Sequence, residues 1–190
     1  MKSIVLVSFV MVFSFSIGQT NTSTTQRKGF VFGTSIGVSS LQLTTSQSGR
    51  ESQFVSSFPN FKIGTMVSSK TAIVVLLPGS LYKYKGVGRE RDRGFEGIIP
   101  SVQYWVKDRF WVLGGVGLTL DAPAFYDIKD ETERKFYFGP AMVLSSGYEL
   151  WSKGKFAIDL QARMHYGYAA VPEGTKTGLA LNFMIGFNWY

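Results

Sequence analysis

The chain has 190 residues, of which 45% are hydrophobic and 15% aromatic, and its formal net charge is +7. This length gives room for one domain and a leader. The sequence contains no cysteine, which excludes a disulfide scaffold, a thiolate metal site and an acylated cysteine at a processing site.

The first residues have the pattern of a secretory signal peptide. Lys2 supplies a positive charge, an apolar run extends from Ile4 to Phe15, and a small-x-small cleavage site ends at Gly18. The apolar run has about 12 residues, whereas a membrane-spanning helix needs roughly 20. We therefore predict that residues 1–18 are a signal peptide, that cleavage follows Gly18 and that the mature chain is exported.

Residues 19–28 are rich in Ser, Thr, Asn and Gln and are predicted to form a disordered lead-in. Residues 29–190 are predicted to form the folded domain. Loss of Lys2 with the signal peptide leaves a formal charge of +6. In an exported chain this charge favours a phosphate-bearing lipid surface as a partner over nucleic acid.

The folded domain contains eight segments in which apolar residues alternate with small or polar ones, the two-residue period of a β-strand. In the seventh segment every second residue from Phe156 to Tyr168 is apolar or aromatic, and the residues between them are small or polar. The eight predicted strands span residues 30–41, 54–67, 71–84, 94–106, 110–121, 135–150, 156–168 and 177–190.

The connections between these strands alternate between long and short. An up-and-down membrane barrel has short periplasmic turns and longer external loops, and its strands need about 9–11 residues to cross the bilayer. After the leader, no apolar run is long enough for a membrane-spanning helix. We therefore predict an all-β fold, an eight-stranded antiparallel transmembrane β-barrel with apolar residues outside and polar residues inside.

Aromatic residues gather at the two ends of the predicted strands, as in the interfacial girdles of membrane barrels. The alternation places Trp105, Trp111 and Trp151 inward and only Trp189 outward, so either the register slips near the short turns or these rings plug that mouth. The aromatic residues near the long loops include Tyr82, Tyr84, Phe125, Tyr126, Tyr137, Tyr166 and Tyr168.

The predicted interior holds charges of both signs, which need partners when buried. We expect Arg163 to pair with Asp159 or Glu149 across the lumen and thereby to fill it. Inward glycines would leave room for larger neighbours. The predicted polar network of the lumen comprises Lys62, Glu149, Asp159, Gln161, Arg163 and His165.

Four prolines fall inside predicted strands, where a closed barrel offers no free edge to accept them. We expect bulges or strand ends at these positions. The four prolines are Pro59, Pro78, Pro100 and Pro140.

The last strand ends on an aromatic pair, with Phe183, Ile185, Phe187 and Trp189 on the apolar face and Tyr190 on the other. With the leader and the eight alternating segments, this end resembles the small outer-membrane β-barrel family of Gram-negative bacteria, the OmpX- and OmpA-like barrels, over residues 29–190. The resemblance implies insertion into the outer membrane as a monomer and recognition of the terminal strand by the barrel-assembly machinery. It implies no single activity.

Three groups of residues have a pattern that could carry chemistry. His165, Asp159 and Ser145 contain the residue types of a hydrolase triad, but His165 faces inward and lacks the His-x-Ser pattern of lipid A deacylase barrels. The glycines at residues 114–117 lack the later glycine and the helix of a dinucleotide loop. The acidic residues of the longest loop, which could bind a divalent cation through oxygen, are Asp127, Asp130, Glu131 and Glu133.

A basic cluster on a predicted external loop could contact lipopolysaccharide phosphates, although a solvated loop is the simpler interpretation. Its members are Lys85, Arg89, Arg91 and Arg93.

Taken together, these patterns favour a structural, adhesive or narrow-pore protein with no catalytic residues, metal or cofactor. The alternatives are a lipid-modifying outer-membrane enzyme and a secreted, soluble lipocalin-like barrel with the opposite polarity.

Overall fold

The structure, a computed structural model, describes residues 25–45, 49–85, 88–171 and 174–190. The predicted signal peptide, its cleavage site and most of the predicted lead-in lie outside these residues. No helix in the described ranges is long and apolar enough to cross a membrane. The strands are β1 (Phe30–Thr45), β2 (Gly49–Ser57), β3 (Phe61–Ser68), β4 (Thr71–Leu77), β5 (Gly79–Tyr84), β6 (Arg91–Trp105), β7 (Phe110–Pro123), β8 (Tyr137–Lys153), β9 (Phe156–Val171) and β10 (Gly174–Trp189), with short 3-10 helices at Phe125–Asp127 and Glu131–Arg134.

The ten strands make eight antiparallel passes that close into a barrel. β10 pairs with β1 from Phe32 opposite Trp189 to Thr45 opposite Lys176, and this ladder joins the two ends of the sheet. β2 and β3 together make the second pass, and β4 and β5 make the third. The predicted eight-stranded fold is confirmed.

The two broken passes coincide with two of the four prolines. Pro59 lies in the gap between β2 and β3, and Pro78 separates β4 from β5, so strand ends occur there as expected. The expectation of a bulge or a strand end was wrong for Pro100 and Pro140, which lie inside β6 and β8 without a register shift. The β6–β7 ladder skips the pairing at Pro100 without a change of register, and the β8–β9 ladder begins one residue after Pro140. A proline that lacks an N–H is tolerated where no ladder bond needs that donor.

A seam without a backbone ladder runs between β2 and β5 in the part of the barrel that the structure describes. The Gln53 side chain bridges it, since its amide donates to the Lys83 carbonyl at 2.8 Å and accepts from the Lys83 N–H at 3.0 Å. Deeper in the wall, the Ser57 hydroxyl donates to the Gly79 carbonyl at 3.5 Å. Between β2 and β5, side-chain hydrogen bonds therefore take the place of a backbone ladder.

The polarity of the barrel is inverted relative to a soluble protein. On β10, Leu181, Phe183 and Ile185 are 48%, 59% and 46% exposed, whereas Asn182 and Met184 between them are buried in the lumen. This arrangement is suited to a hydrocarbon surrounding. It confirms the predicted orientation and excludes the soluble lipocalin-like alternative.

The predicted alternation fails in β2. Phe54 is 77% exposed, and Val55 is half-buried against an apolar cluster inside the lumen, although Val55 was predicted to face outward. The three residues between β2 and β3 carry the chain from inward Ser57 to inward Asn60, so the alternation of β3 does not continue into β2.

The sequence offered two explanations for the inward tryptophans, a plugged mouth and a register slip, and each holds for some of them. Trp105 and Trp111 are 1% exposed and plug the short-turn mouth, whereas Trp151 is 47% exposed. A register shift between Glu149 and Trp151 turns the Trp151 ring outward. The girdle prediction was thus wrong for Trp105 and Trp111, and also for Tyr82 and Tyr84, which are buried inside the barrel.

Candidate functional site

The short-turn mouth is built around the buried carboxylate of Glu149. Its Oε1 accepts hydrogen bonds from Trp105 Nε1 at 2.8 Å and from the Tyr190 hydroxyl at 3.1 Å, and its Oε2 lies 2.7 Å from Arg27 Nη2. The Arg27 guanidinium also lies 4.7 Å above the Trp105 ring. Arg27 belongs to the predicted lead-in, and its insertion under the barrel was not anticipated from the sequence.

A second buried carboxylate, Asp159, lies in the next layer. It accepts hydrogen bonds from Trp111 Nε1 at 2.9 Å, Asn188 Nδ2 at 3.0 Å and Gln161 Nε2 at 2.8 Å. Gly147 leaves the space that the Trp111 ring fills, because a Cβ at this position would overlap the ring. These two layers place aromatic rings and satisfied carboxylates across the lumen.

The middle of the lumen contains two buried cations. Lys62 Nζ donates to Gln103 Oε1 at 2.8 Å, while Arg163 donates to Asn60 Oδ1 at 2.7 Å and to Gln161 Oε1 at 3.1 Å. The expected ion pair of Arg163 with Asp159 or Glu149 is therefore wrong. Neutral amide oxygens are its partners because the hydrogen bonds of Trp111, Asn188 and other donors already occupy the carboxylates.

The three residues considered as a hydrolase triad make separate contacts. The His165 ring stacks on Phe95 with centroids 4.6 Å apart, and its Nε2 lies 3.5 Å from the Thr119 hydroxyl. The Ser145 hydroxyl donates to the Ala162 carbonyl at 3.0 Å. All six residues of the predicted lumen network are buried.

Nearer the long loops, the carboxylate of Asp121 lies between two buried cations. Arg93 Nε donates to its Oδ1, and Lys176 Nζ lies 2.9 Å from its Oδ2. The Tyr82 hydroxyl donates to Asp121 Oδ2 at 2.5 Å and accepts from Lys176 Nζ at 2.8 Å. Side-chain exposures are 2% for Arg93, 6% for Lys176 and 1% for Asp121. We call the group of Arg93, Asp121, Lys176 and Tyr82 the floor.

A cavity of about 510 Å³ lies between the floor and the long loops. We call this cavity the vestibule. Its walls include Tyr84 and Tyr137 and three acidic groups, Asp121, Asp130 and Glu133. The basic residues that line it are Arg89, Arg91, Arg93, Lys129, Lys135 and Lys176.

The longest loop is fixed over the vestibule by Arg89. Its Nη1 lies 2.8 Å from Asp127 Oδ1, and its Nη2 lies 2.8 Å from Glu133 Oε2. The N–H groups of Asp92 and Lys129 also donate to these two carboxylates, at 2.8 Å and 2.9 Å. These backbone N–H groups, together with Arg89, lower the pKa of Asp127 and the pKa of Glu133.

Acidification is expected to release this loop. Because the pKa values of Asp127 and Glu133 are lowered by folding, the stabilisation is complete above the unfolded values of about 3.9 and 4.3 and is lost as the pH falls through the lower folded values. The protection factor of the Lys129 amide, the ratio of its intrinsic exchange rate to its observed rate at the same pH, should be high at pH 6 and should fall below about pH 4. In Arg89→Gln the protection factor should already be lower at pH 6, and equal protection factors for the wild-type loop at pH 6 and pH 3 would contradict the expectation.

The acidic residues of the longest loop are engaged within the protein. Among the described residues, no group of three or more histidine, cysteine or acidic residues is placed to hold a metal ion. Asp127 and Glu133 bind Arg89, and Asp130 caps the following 3-10 helix by accepting from the N–H of Thr132. Oxygen atoms that already serve these donors do not form a cation cage.

The four predicted lipopolysaccharide contacts do not share one exposed surface. Arg93 is buried in the floor, which is wrong for an external loop residue, because β6 begins at Arg91 and turns Arg93 into the lumen. Arg91 lies over the Tyr84 ring at 4.4 Å, and Arg89 holds the longest loop. Lys85 is exposed and lies 3.6 Å from Glu51. Contact with lipopolysaccharide stays a prediction.

A closed antiparallel barrel with an apolar exterior and a polar interior is the fold of small outer-membrane β-barrel proteins. No protein-family model matches the sequence, and no curated protein matches it. Among solved structures, the chain is similar to Neisserial surface protein A (NspA), with a TM-score of 0.55 and 13% identity over 85% of this chain and 96% of that one. It is also similar to Ail, the attachment invasion locus protein of Yersinia pestis, in complex with the heparin analogue sucrose octasulfate, with a TM-score of 0.50 and 11% identity over 84% and 99% of the two chains. At these identities the likeness concerns the fold alone.

Proposed function

We propose that this protein is a sealed outer-membrane barrel that acts through its long-loop end as a surface-binding protein and does not conduct solutes. The filled lumen carries this proposal. Two buried carboxylate layers, around Glu149 and Asp159, close the short-turn half, and the ring of Phe95 stacked on His165 lies in the other half. An eight-stranded barrel has an interior just wide enough for such side chains.

The size of one cavity inside the lumen supports a seal. The cavity beside Asn60, Lys62 and Trp111 has a volume of about 10 Å³. A single water molecule needs roughly 10–15 Å³ by the same kind of measure, so this cavity holds one water at most and offers no continuous path.

The proposed role is not enzymatic. A lipid-modifying barrel would need a serine, a histidine and an acid together on the outward face, whereas His165 is 1% exposed in the lumen. Ser145 and Asp159 are engaged by other groups. Surface binding needs no such group of catalytic residues. This part of the proposal takes from Ail only the attachment that its name states.

Planar-bilayer recordings of the refolded protein test the seal. We expect no stepwise conductance from the wild type. In a Phe95→Ala background, which removes the ring that fills the other half of the lumen, replacing both plug residues, as Trp105→Ala and Trp111→Ala, should produce small conducting steps because buried rings have left both halves. The matched control is Trp151→Ala with Trp189→Ala, which removes two outward rings and should stay silent. Heat-modifiable gel migration selects folded samples, and stepwise conductance by the folded wild type would refute the proposal.

A further inference from the structure

We propose that the vestibule is a binding site for a small anion that carries phosphate or sulfate groups. This inference rests on the proposed function, because a surface-binding barrel needs a binding site at its long-loop end. It goes further by naming the place and the chemistry of the ligand.

The charge of the lining favours an anion. Six basic residues face three acidic ones around the cavity, and each acid is already engaged. Asp121 lies between Arg93 and Lys176, Glu133 binds Arg89, and Asp130 caps a 3-10 helix. Asp127, which also binds Arg89 but does not line the cavity, brings the acids to four, so the described residues around the cavity keep an excess of positive charge.

The floor contributes most to this imbalance, because its charges are buried. Two cations that are at least nine-tenths buried share the single carboxylate of Asp121. A buried charge without a full counter-charge is costly unless another group compensates it. An oxyanion above Arg93 and Lys176 would supply the missing negative charge, and phosphate and sulfate offer several acceptor oxygens to guanidinium and ammonium donors.

The walls add aromatic surface beside the cations. Arg91 and Lys176 lie 4.4 Å and 4.8 Å from the Tyr84 ring, and Arg93 lies 5.3 Å from the Tyr137 ring. These contacts hold the basic groups in fixed positions at the cavity wall. Basic groups fixed in this way need less ordering when an anion binds.

The size and the opening of the cavity indicate the source of the ligand. Its volume of about 510 Å³ lies within the roughly 300–1,000 Å³ of small-molecule pockets. Its exposed lining residues include Lys129 and Lys135 of the longest loop, and none of its described lining residues lies on the outward face of a strand that crosses the membrane. This geometry favours a soluble or partner-borne ligand over a lipid headgroup of the same membrane.

Calorimetric titration tests the site in phosphatidylcholine nanodiscs with inorganic pyrophosphate as the charged probe and glucose as the neutral one, which should not bind. We expect the wild type to bind pyrophosphate and to bind it more weakly at higher salt. Lys129→Gln with Lys135→Gln should weaken binding about tenfold, since each exposed charge contact contributes a factor of a few. The matched control is Lys153→Gln with Lys155→Gln, which makes the same change of charge at the exposed short turn and should leave affinity unchanged.

The outcomes separate this site from the proposed function. No pyrophosphate binding by the folded wild type, or equal weakening by both double variants, would overturn the site. Binding by a barrel that also conducts would overturn the seal and keep the site. Nanodiscs that contain lipopolysaccharide distinguish the sources: undiminished pyrophosphate binding supports a soluble ligand, whereas competition assigns the same site to a lipid phosphate.

Discussion

Replacing Asp121 with asparagine is expected to destabilise the barrel by about 3–5 kcal/mol, the range found when one partner of a buried ion pair is removed. Asp121 is the carboxylate that Arg93 and Lys176 share, and all three side chains are at most 6% exposed. Asparagine keeps the size of the side chain but leaves two neighbouring buried cations without a counter-charge.

Urea unfolding of the refolded protein in lipid vesicles, followed by tryptophan fluorescence, measures the effect. The matched control is Asp108→Asn, because Asp108 is exposed at a short turn and its replacement changes the net charge equally. We expect the control to lie within about 0.5 kcal/mol of the wild type.

A second substitution distinguishes loss of charge balance from loss of packing. Adding Lys176→Met to Asp121→Asn removes one of the two unpaired cations and should recover a part of the lost stability. The coupling energy between the two sites should be about 0.5–3 kcal/mol, the range for residues in direct contact. Additive effects of the two substitutions would show that the floor is not held by its charges.

The fold could be predicted from the sequence because alternation is a strong signal wherever hydrocarbon surrounds one face of a strand. In β10 every outward position from Leu179 to Trp189 is apolar, and the structure has the same alternation. The buried positions of Glu149, Asp159 and Arg163 follow from the same rule. A two-residue period fixes the face of the sheet on which each side chain lies, and the inward face of the closed sheet lines the lumen.

Partners inside the lumen could not be predicted because they depend on how the barrel closes. The sequence suggested that Arg163 would bind a carboxylate. In the structure, Arg163 on β9 instead donates to the amide oxygen of Asn60, which directly precedes β3. Small irregularities had similar consequences. One register shift turned Trp151 outward, and the break before Asn60 turned Val55 inward.

The floor and the vestibule were missed for a related reason. Arg93 and Lys176 were assigned to loop regions, although β6 and β10 extend past the predicted strand ends into the long-loop region. Asp121 is the last residue of the predicted strand at residues 110–121, and a carboxylate at a strand end was the available signal for an ion-paired floor. The spacing of the predicted strands and loops does not indicate which basic residue lies beside Asp121.

The second large effect is expected at the other mouth, where Glu149→Ala should destabilise the barrel by about 3–5 kcal/mol. The carboxylate accepts from Trp105, Tyr190 and Arg27, so alanine leaves three donors without their acceptor and opens a cavity among them. These donors come from the middle and from both ends of the described chain, and one side chain therefore joins the N-terminal segment to the closing strand.

A graded series tests this interpretation by urea unfolding under the same conditions. Arg27→Met removes the ion pair and keeps much of the side-chain volume, and it should cost less than Glu149→Ala because Trp105 and Tyr190 still satisfy the carboxylate. Tyr190→Phe removes one neutral donor to a charged group and should cost about 1.5–3 kcal/mol at most. The control Glu131→Ala removes an exposed carboxylate and should have little effect.

The order of the series matters more than any single value. If Arg27→Met and Glu131→Ala were equally mild while Glu149→Ala was severe, the carboxylate would be held by the barrel alone, and the N-terminal segment would contribute nothing to the mouth. If Glu149→Ala were as mild as Glu131→Ala, the short-turn mouth would be closed by packing of Trp105 and Trp111 and not by their hydrogen bonds. The expected order, Glu149→Ala above Arg27→Met above Glu131→Ala, requires that the buried charge and its partner from the N-terminal segment act together.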